Sequence, residues 1–345
     1  MTQNTFQKKI NESGICTVTF DLQGEKVNKF SLAVLKELES VVDALATNNE
    51  IKALIFKSGK KGIFIAGADL NEFMPAFKEP ALLEELIHTG HRVFRKIEEL
   101  PFPTIAVIDG VCLGGGLECA LAFKYRIVTD NPKTSLGLPE VTLGIFPGWG
   151  GTQRLPRLIG LSEGVPMILS GRPVNGAKAV KIHLADAIVA SEFQDEKIKE
   201  FLGKIMSSSG KKGVLYGRKR ALWKSLLLEN NPLGRSLFFS KAKSELQKKT
   251  KGHYRAPEIA LNLIQETYPL PLEKGLDKEA KCVLSNIGSG FTEAVNLIGL
   301  FFIQESLKKN AGREISAKPR EIRTTAVLGS GTMGSGIGWL LADNN

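Results

Sequence analysis

The sequence predicts an α/β fold of short strands taken in pairs between longer helices, continued by a helical region and closed by one strand–turn–helix unit. Three observations predict it. Short β-like runs, among them IKALIFKSG (51–59), GIFIA (62–66), TIAVI (104–108) and YRIVT (125–129), alternate with stretches of helical period. Beyond Ala190 the strand signal gives way to helical stretches rich in Lys and Arg. The last stretch, EIRTTAVLGSGTMGSGIGWLLADNN, runs a short apolar segment into Gly329, Gly331 and Gly334 and then into a helix. This order is neither that of a doubly wound βαβ sheet nor that of an all-β protein.

At 345 residues the chain is long for one domain, and 43% hydrophobic residues exclude a disordered chain. Its four cysteines, Cys16, Cys112, Cys119 and Cys282, form no CxxC pair, and its four histidines are scattered. That pattern argues against a structural zinc site and for a reducing compartment. The start, MTQNTFQKKINESG, carries neither the apolar core of a signal peptide nor an Arg-rich transit pattern. The longest apolar runs are broken by Asp109, Glu118 or glycines, so a cytoplasmic chain without a membrane span is expected. A net charge of +10 and a pI near 9.3 suit a polyanionic partner: a nucleotide-tailed substrate, a nucleic acid or an anionic membrane surface. A solvated basic face is the plain alternative.

In chain order, ICTVTFDL (15–22) alternates as a half-buried strand and residues 24–28 make a turn. Ser31 is placed to cap the helix LAVLKELESVVDALATN. After the strand 51–59, GIFIAGADLNEF breaks at Gly67 and passes into a helix, leaving main-chain N–H groups free for an anion or a developing oxyanion. Residues 80–99 read as a helix ended by Pro101 and Pro103. His88 and His91 stand on it near Glu84; lacking the third ligand of zinc-binding helices, they read as a solvent-facing pair, and no metal is predicted.

The stretch from Pro103 to Leu155 carries the chemistry. TIAVI ends in the Gly-rich turn 109–116, and the helix that follows holds Glu118 between Leu117 and Cys119. After YRIVT, the segment SLGLPE delivers Glu140, again among apolar residues. An acid placed in a core must be neutralised or paired, so two of them point to acid/base work. FPGWGGTQR opens a further helix; without the Lys-Ser/Thr ending of a phosphate loop it reads as packing. AVKIHLADAIVA returns from helix to strand.

Four segments in this order, IAGADL (65–70), GVCLGGGLECALAFKYRI (110–127), LGLPEVTLGIFPGWGGTQRLPRLIG (136–160) and SGRPVNGAKAVKIHLADAIV (170–189), resemble the enoyl-CoA hydratase, or crotonase, superfamily. The later segments resemble most closely its α-subunit branch from the fatty-acid β-oxidation multienzyme complex, in which a hydratase/isomerase is fused to a 3-hydroxyacyl-CoA dehydrogenase. The resemblance implies a crotonase-type spiral of repeated ββα turns followed by a helical region. It implies hydration of 2-enoyl-CoA, with a 3-enoyl to 2-enoyl isomerase side activity. Glu118 and Glu140 match the family's catalytic pair, and the N–H groups of Ala68 and Gly115 match its oxyanion hole. Ala66, Gly67, Asp69, Leu70, Gly114, Gly116, Pro139, Gly148 and Trp149 are nominated as substrate contacts. Trp149 takes a position where relatives tend to carry a smaller residue, so it is expected to shape the acyl pocket.

The residues suit that chemistry on their own terms. Hydrating an enoyl thioester needs a base for water, an acid for C2 and stabilisation of an enolate oxygen. Gly115 lies in the first turn of its helix, where N–H groups lack partners and the dipole favours negative charge. Glycine at 114–116 lets a thioester oxygen approach the backbone. Glu118 is read as the base toward water and Glu140 as the group exchanging the C2 proton.

The expected domains are 1–190, the hydratase/isomerase unit; 191–258, a helical extension; 259–320, linker helices of scaffold character; and 321–345, the start of a Rossmann domain. Lys and Arg cluster at 211–224 and 241–251, for CoA phosphates, a partner, a membrane or solvent. Gly329, Gly331 and Gly334 form a dinucleotide fingerprint. The acidic ribose partner would come about 20 residues further on, so the chain is expected to be cut inside that domain, its strand unpartnered. NAD and dehydrogenase activity, with a thiolase β subunit as partner, are implied for a longer parent. Hydration needs no cofactor beyond the CoA of the substrate. Simple relatives form trimers, while the linker helices of fused ones stand in for a neighbour, so a monomer is expected. Two other functions are weighed: an RNA-binding crotonase-fold module, opposed by 7% aromatics and no stacking motif, and a glycosidase, whose oxocarbenium ion has no use for paired N–H groups.

Overall fold

The structure, a computed structural model, describes residues 5–207, 229, 231–287, 292–308, 323–329 and 331–343. It divides into two units, residues 1–301 and 302–345. In the first, strands numbered along the chain lie in two sheets. One runs in the order β1 (Phe6–Ile10), β2 (Ile15–Phe20), β3 (Ala53–Ser58), β5 (Thr104–Ile108), β7 (Tyr125–Thr129) and β10 (Ala187–Val189). The other runs β4 (Ile63–Ile65), β6 (Val111–Leu113), β8 (Ser135–Gly137) and β9 (Val174–Asn175). Pairing is parallel except at β1–β2 and β8–β9.

The chain steps from the first sheet to the second and then into helix, turn after turn, which is the repeated ββα spiral. The helices of this part are α1 (Leu32–Ala46), α2 (Leu70–Ala76), α3 (Pro80–Glu99), α4 (Gly115–Ala122), α5 (Gly151–Ile159), α6 (Leu161–Ser170) and α7 (Gly176–Lys181). Every residue of β5 and α4 is buried, because helices and sheet cover them on all sides. Ser31 caps α1 by accepting from the Val34 N–H, as its sequence position predicts. Phenylalanines knit the layers: Phe20 stacks on Phe6 at 4.7 Å and Phe30 at 5.6 Å, and Phe56 meets Phe64 edge-on at 5.9 Å. β1 is an element the sequence reading passed over. FQKKI buries only Phe6 and turns its lysines outward, which suits an edge strand and hides it from a search for alternation.

The buried Arg126 ends α4 and fixes it to the next turn of the spiral. Its guanidinium donates to the carbonyls of Ala120 and Phe123 at the C-terminal end of α4 and to that of Leu184 further along the chain. α4 therefore presents its N-terminal end, with Glu118, at a fixed height.

Further along come α8 (Gln194–Ser207), α9 (Pro232–Thr250), α10 (Arg255–Thr267), α11 (Leu272–Ile287) and α12 (Thr292–Lys308). α10 packs on α6, and α11 on α3 and α5. The basic cluster 211–224 lies outside the described residues; that at 241–251 is on and just beyond α9, with most of its lysines exposed. In the second unit, residues 323–329 are not in a strand, and α13 spans Thr332–Asp343. A Cβ on Gly334 would meet the Gly329 carbonyl oxygen, so glycine there allows the close approach. Among the described residues no helix is long and apolar enough to cross a membrane.

Candidate active site

A cavity of about 230 Å³ opens where the breaks after β4 and β6 meet the turn before α5. The strand break comes first. Gly67 adopts φ +118°, a conformation L side chains rarely take, and the chain turns out of β4 there. Phe30 uses the flanking groups, donating to the Gly67 carbonyl and accepting from the Asp69 N–H. The Ala68 N–H, between them, is thereby turned to the opposite edge, toward the cavity that Ala68 lines. Across it, Gly115 begins α4, where N–H groups lack intrahelical partners. A Cβ on Gly115 would stand 3.7 Å from the Ala68 nitrogen and 2.5 Å from the Trp149 ring. Residues 68 and 115 thus stand close to one another across the cavity they line, and the missing side chain makes room for an indole.

Glu118 follows one turn later and is 2% exposed. Its Oε1 accepts from the Trp149 and Gly151 N–H groups, both at 2.8 Å. Burial pushes its carboxyl up to about 7, while those two donors and the Arg154 guanidinium hold it down. Glu140 opens a short 3-10 turn, Glu140–Leu143, beyond β8. Its Oε1 would come 3.1 Å from a Cβ on Gly114, so glycine there admits the acid. Its Oε2 is buried and has no hydrogen-bond partner among the described residues. Burial, then the charge of Glu118, raise Glu140 well above the usual carboxylate range. One acid is held by donors and the other is left short of them, which separates their protonation states.

Of the nominated substrate contacts, Ala66, Gly67, Leu70, Gly114, Pro139, Gly148 and Trp149 line the cavity with the two acids and the two N–H residues. Asp69 and Gly116 are not among the lining residues. The Asp69 carboxylate caps α2 through Asn71 and pairs with Lys29 at 3.0 Å. Gly116 is glycine for packing, since a Cβ there would lie 2.5 Å from the Ile65 carbonyl. Trp149 is buried, its indole N–H donating to the Leu86 carbonyl and its ring edge-on to Phe30 and Phe94. It reaches the wall only because Gly90 and Gly115 carry no side chain.

The sequence reading missed the far wall. Val283 on α11 and Phe301 on α12 line the same cavity, together with Phe73, Ile87 and Phe146. It also missed Glu279 on α11, fully buried, which accepts from the Gly150 N–H, the Thr152 N–H and the Thr152 hydroxyl. Nor are His88 and His91 a solvent-facing pair. His88 is exposed, but His91 turns inward with its Nε2 3.5 Å from Glu279, and burial drives it down to about 3. No cluster of metal-ligating side chains occurs among the described residues.

The sequence profile of the enoyl-CoA hydratase/isomerase family matches residues 10–216. The chain belongs to this family. The fatty acid oxidation complex subunit alpha of Idiomarina loihiensis is 36% identical over 340 residues, covering 98% of this chain and 46% of that protein. The chain spans about half the length of the curated relatives it matches. Enoyl-CoA hydratase of Bacillus anthracis superposes with a TM-score of 0.56 at 24% identity, covering 89% of this chain and 97% of that one. Human mitochondrial delta3-delta2-enoyl-CoA isomerase gives 0.60 at 20%, covering 89% and 100%. These structures share the fold, and the family is one of hydratases and isomerases acting on enoyl-CoA.

Proposed function

We propose that this chain adds water across the C2–C3 double bond of 2-enoyl-CoA in fatty-acid β-oxidation. The observation that carries the reading is one cavity lined by two buried acids in unlike surroundings and by two residues whose main-chain N–H groups lie at backbone breaks. Near neutral pH Glu140 keeps its proton, while Glu118 reaches its ionised form. Glu118 takes a proton from water as the water oxygen bonds to C3. The π electrons shift onto the thioester carbonyl, and the resulting enolate oxygen is held by the Ala68 and Gly115 N–H groups; one such donor is worth roughly 3 kcal/mol. The enolate then collapses as C2 takes the proton of Glu140. Glu118 ends protonated and Glu140 ionised, and one proton returned through solvent restores the pair. Moving a 3-enoyl double bond to C2 needs only proton removal at C2 and return at C4, so the same acids support that isomerisation.

The apolar wall of Phe73, Ile87, Phe146, Val283 and Phe301 suits the acyl chain, with Trp149 bounding it. The division at residues 190, 258 and 320 remains a proposal, in which α11 and α12 supply the substrate wall as well as the linker. CoA enters as part of the substrate, and hydration requires no further cofactor. For the longer protein we propose an NAD site beginning at Gly329, Gly331 and Gly334, 3-hydroxyacyl-CoA dehydrogenase activity, and a thiolase β subunit as partner. Mixing the chain with crotonyl-CoA tests the hydratase reading: absorbance at the thioester-conjugation band falls. Salt-sensitive RNA binding without that fall would favour the RNA-binding alternative.

A further inference from the structure

Four successive N–H groups at the start of α5 are shared between two carboxylates in strict alternation. Trp149 and Gly151 donate to Glu118, and Gly150 and Thr152 donate to Glu279. Glu118 reaches the turn from α4, inside the spiral; Glu279 reaches it from α11, more than a hundred residues later in the chain. Gly150, at φ +102°, gives the turn the twist that sends alternate N–H groups to opposite sides. Two more contacts brace the arrangement. The Thr152 hydroxyl donates to Glu279 while accepting from Gln153, and Arg154 donates to the Trp149 carbonyl while paired with Glu98.

We propose that Glu279 is a positioning residue for the hydration reaction: by holding the Gly150 and Thr152 N–H groups from behind, it keeps the Trp149 and Gly151 N–H groups aimed at Glu118. This rests on the hydratase reading above. A fully buried carboxylate with no contact to the cavity is costly to keep unless its hydrogen bonds are used, and all of those named go to this turn. α11 is thus part of the machinery that sets the base as well as a cover for the acyl wall.

Several titratable groups face the pair. His91 approaches Glu279 from α3, Arg154 and Arg157 from α5, Glu118 from α4, Glu140 from its 3-10 turn, and Cys282 from α11 itself. Burial and the charge of Glu118 raise Glu279 to about 8, the Thr152 and Gly150 donors opposing them. The two N–H donors to Glu118 lower its pKa, so loosening the turn raises it.

The test is crotonyl-CoA hydration by the wild-type chain, Glu279→Gln, Thr152→Val and Thr152→Ser, with kcat, KM and the acid limb of the pH profile measured for each. In Glu279→Gln one acceptor oxygen becomes an NH2 facing an N–H, and the turn shifts. The expected result is a kcat lower by on the order of 10-fold to 100-fold, KM within about twofold, and an acid limb moved to higher pH. Thr152→Val, which keeps both carboxylates, moves the limb the same way by less, and Thr152→Ser restores it. A purely structural role would lower the active fraction and leave the limb where it was. The inference is overturned if Glu279→Gln matches wild type in kcat and limb. Should Glu279→Gln fail to fold, identical limbs in Thr152→Val and Thr152→Ser overturn it. A wild-type chain that does not hydrate crotonyl-CoA overturns the hydratase reading, and this inference with it.

Discussion

The spiral and helix α11 each bring a buried carboxylate to the same turn, and they do so in opposite ways. Glu118 arrives on α4, a helix buried on every side, immediately after the glycines that open the cavity. Glu279 arrives on an amphipathic helix whose other face carries Lys278 and Lys281, and it belongs to the cavity only through the turn it holds. In the first, the acid and the reason for it are neighbours in sequence. In the second, they are brought together by packing alone. A catalytic acid can therefore be found by local pattern, whereas the group that aims it can sit anywhere in the chain.

Glu118→Gln and Glu140→Gln are each expected to lower kcat for crotonyl-CoA by about 10²–10⁴-fold, as loss of a general base or acid does. Steady-state rates on folded protein of unchanged circular dichroism check this. Trp149→Ala should cost about 3–5 kcal/mol of stability in urea titrations, because the slot between Gly90 and Gly115 would be left empty. The same variant should shift the chain-length profile toward bulkier acyl groups; an unchanged profile would mean that the ring does not bound the substrate.

Glu118 and Glu279 have folded pKa values of about 7 and about 8 against an ordinary 4.5, so the folded state binds more protons than the unfolded one between those values. Their contribution is fully present below about 4.5 and is lost as pH rises through about 7 and about 8. The melting temperature should fall over that window, and less steeply in Glu118→Gln or Glu279→Gln. The smallest effect is expected at Asp69. Asp69→Asn keeps a helix cap and lies off the cavity, so kcat should stay within about twofold, with only the modest change in stability of an exchanged cap.

Much of this was legible in the sequence for physical reasons. The ββα spiral shows because each strand is an apolar run bounded by turn residues, and the break at Gly67 and the turn at Gly114 show because their positive φ favours glycine. β1 did not show, since one buried phenylalanine in five residues leaves no alternation to see. His91 was misplaced because two histidines three apart can lie on either side of a helix's boundary with solvent. Glu279 left one trace: Leu276, Ala280 and Val283 mark the buried face of α11, and Glu279 falls on that face.

The most direct test of the central claim, that two buried acids on one cavity work from different protonation states, is the pH dependence of kcat/KM for crotonyl-CoA. A bell is expected: an acid limb near pH 7 as Glu118 ionises, and a fall on the alkaline side as Glu140 loses its proton. The acid limb should vanish in Glu118→Gln. A rate constant that stays level from roughly pH 5 to pH 9 would contradict that claim, since no pair of groups would then be changing charge across the working range.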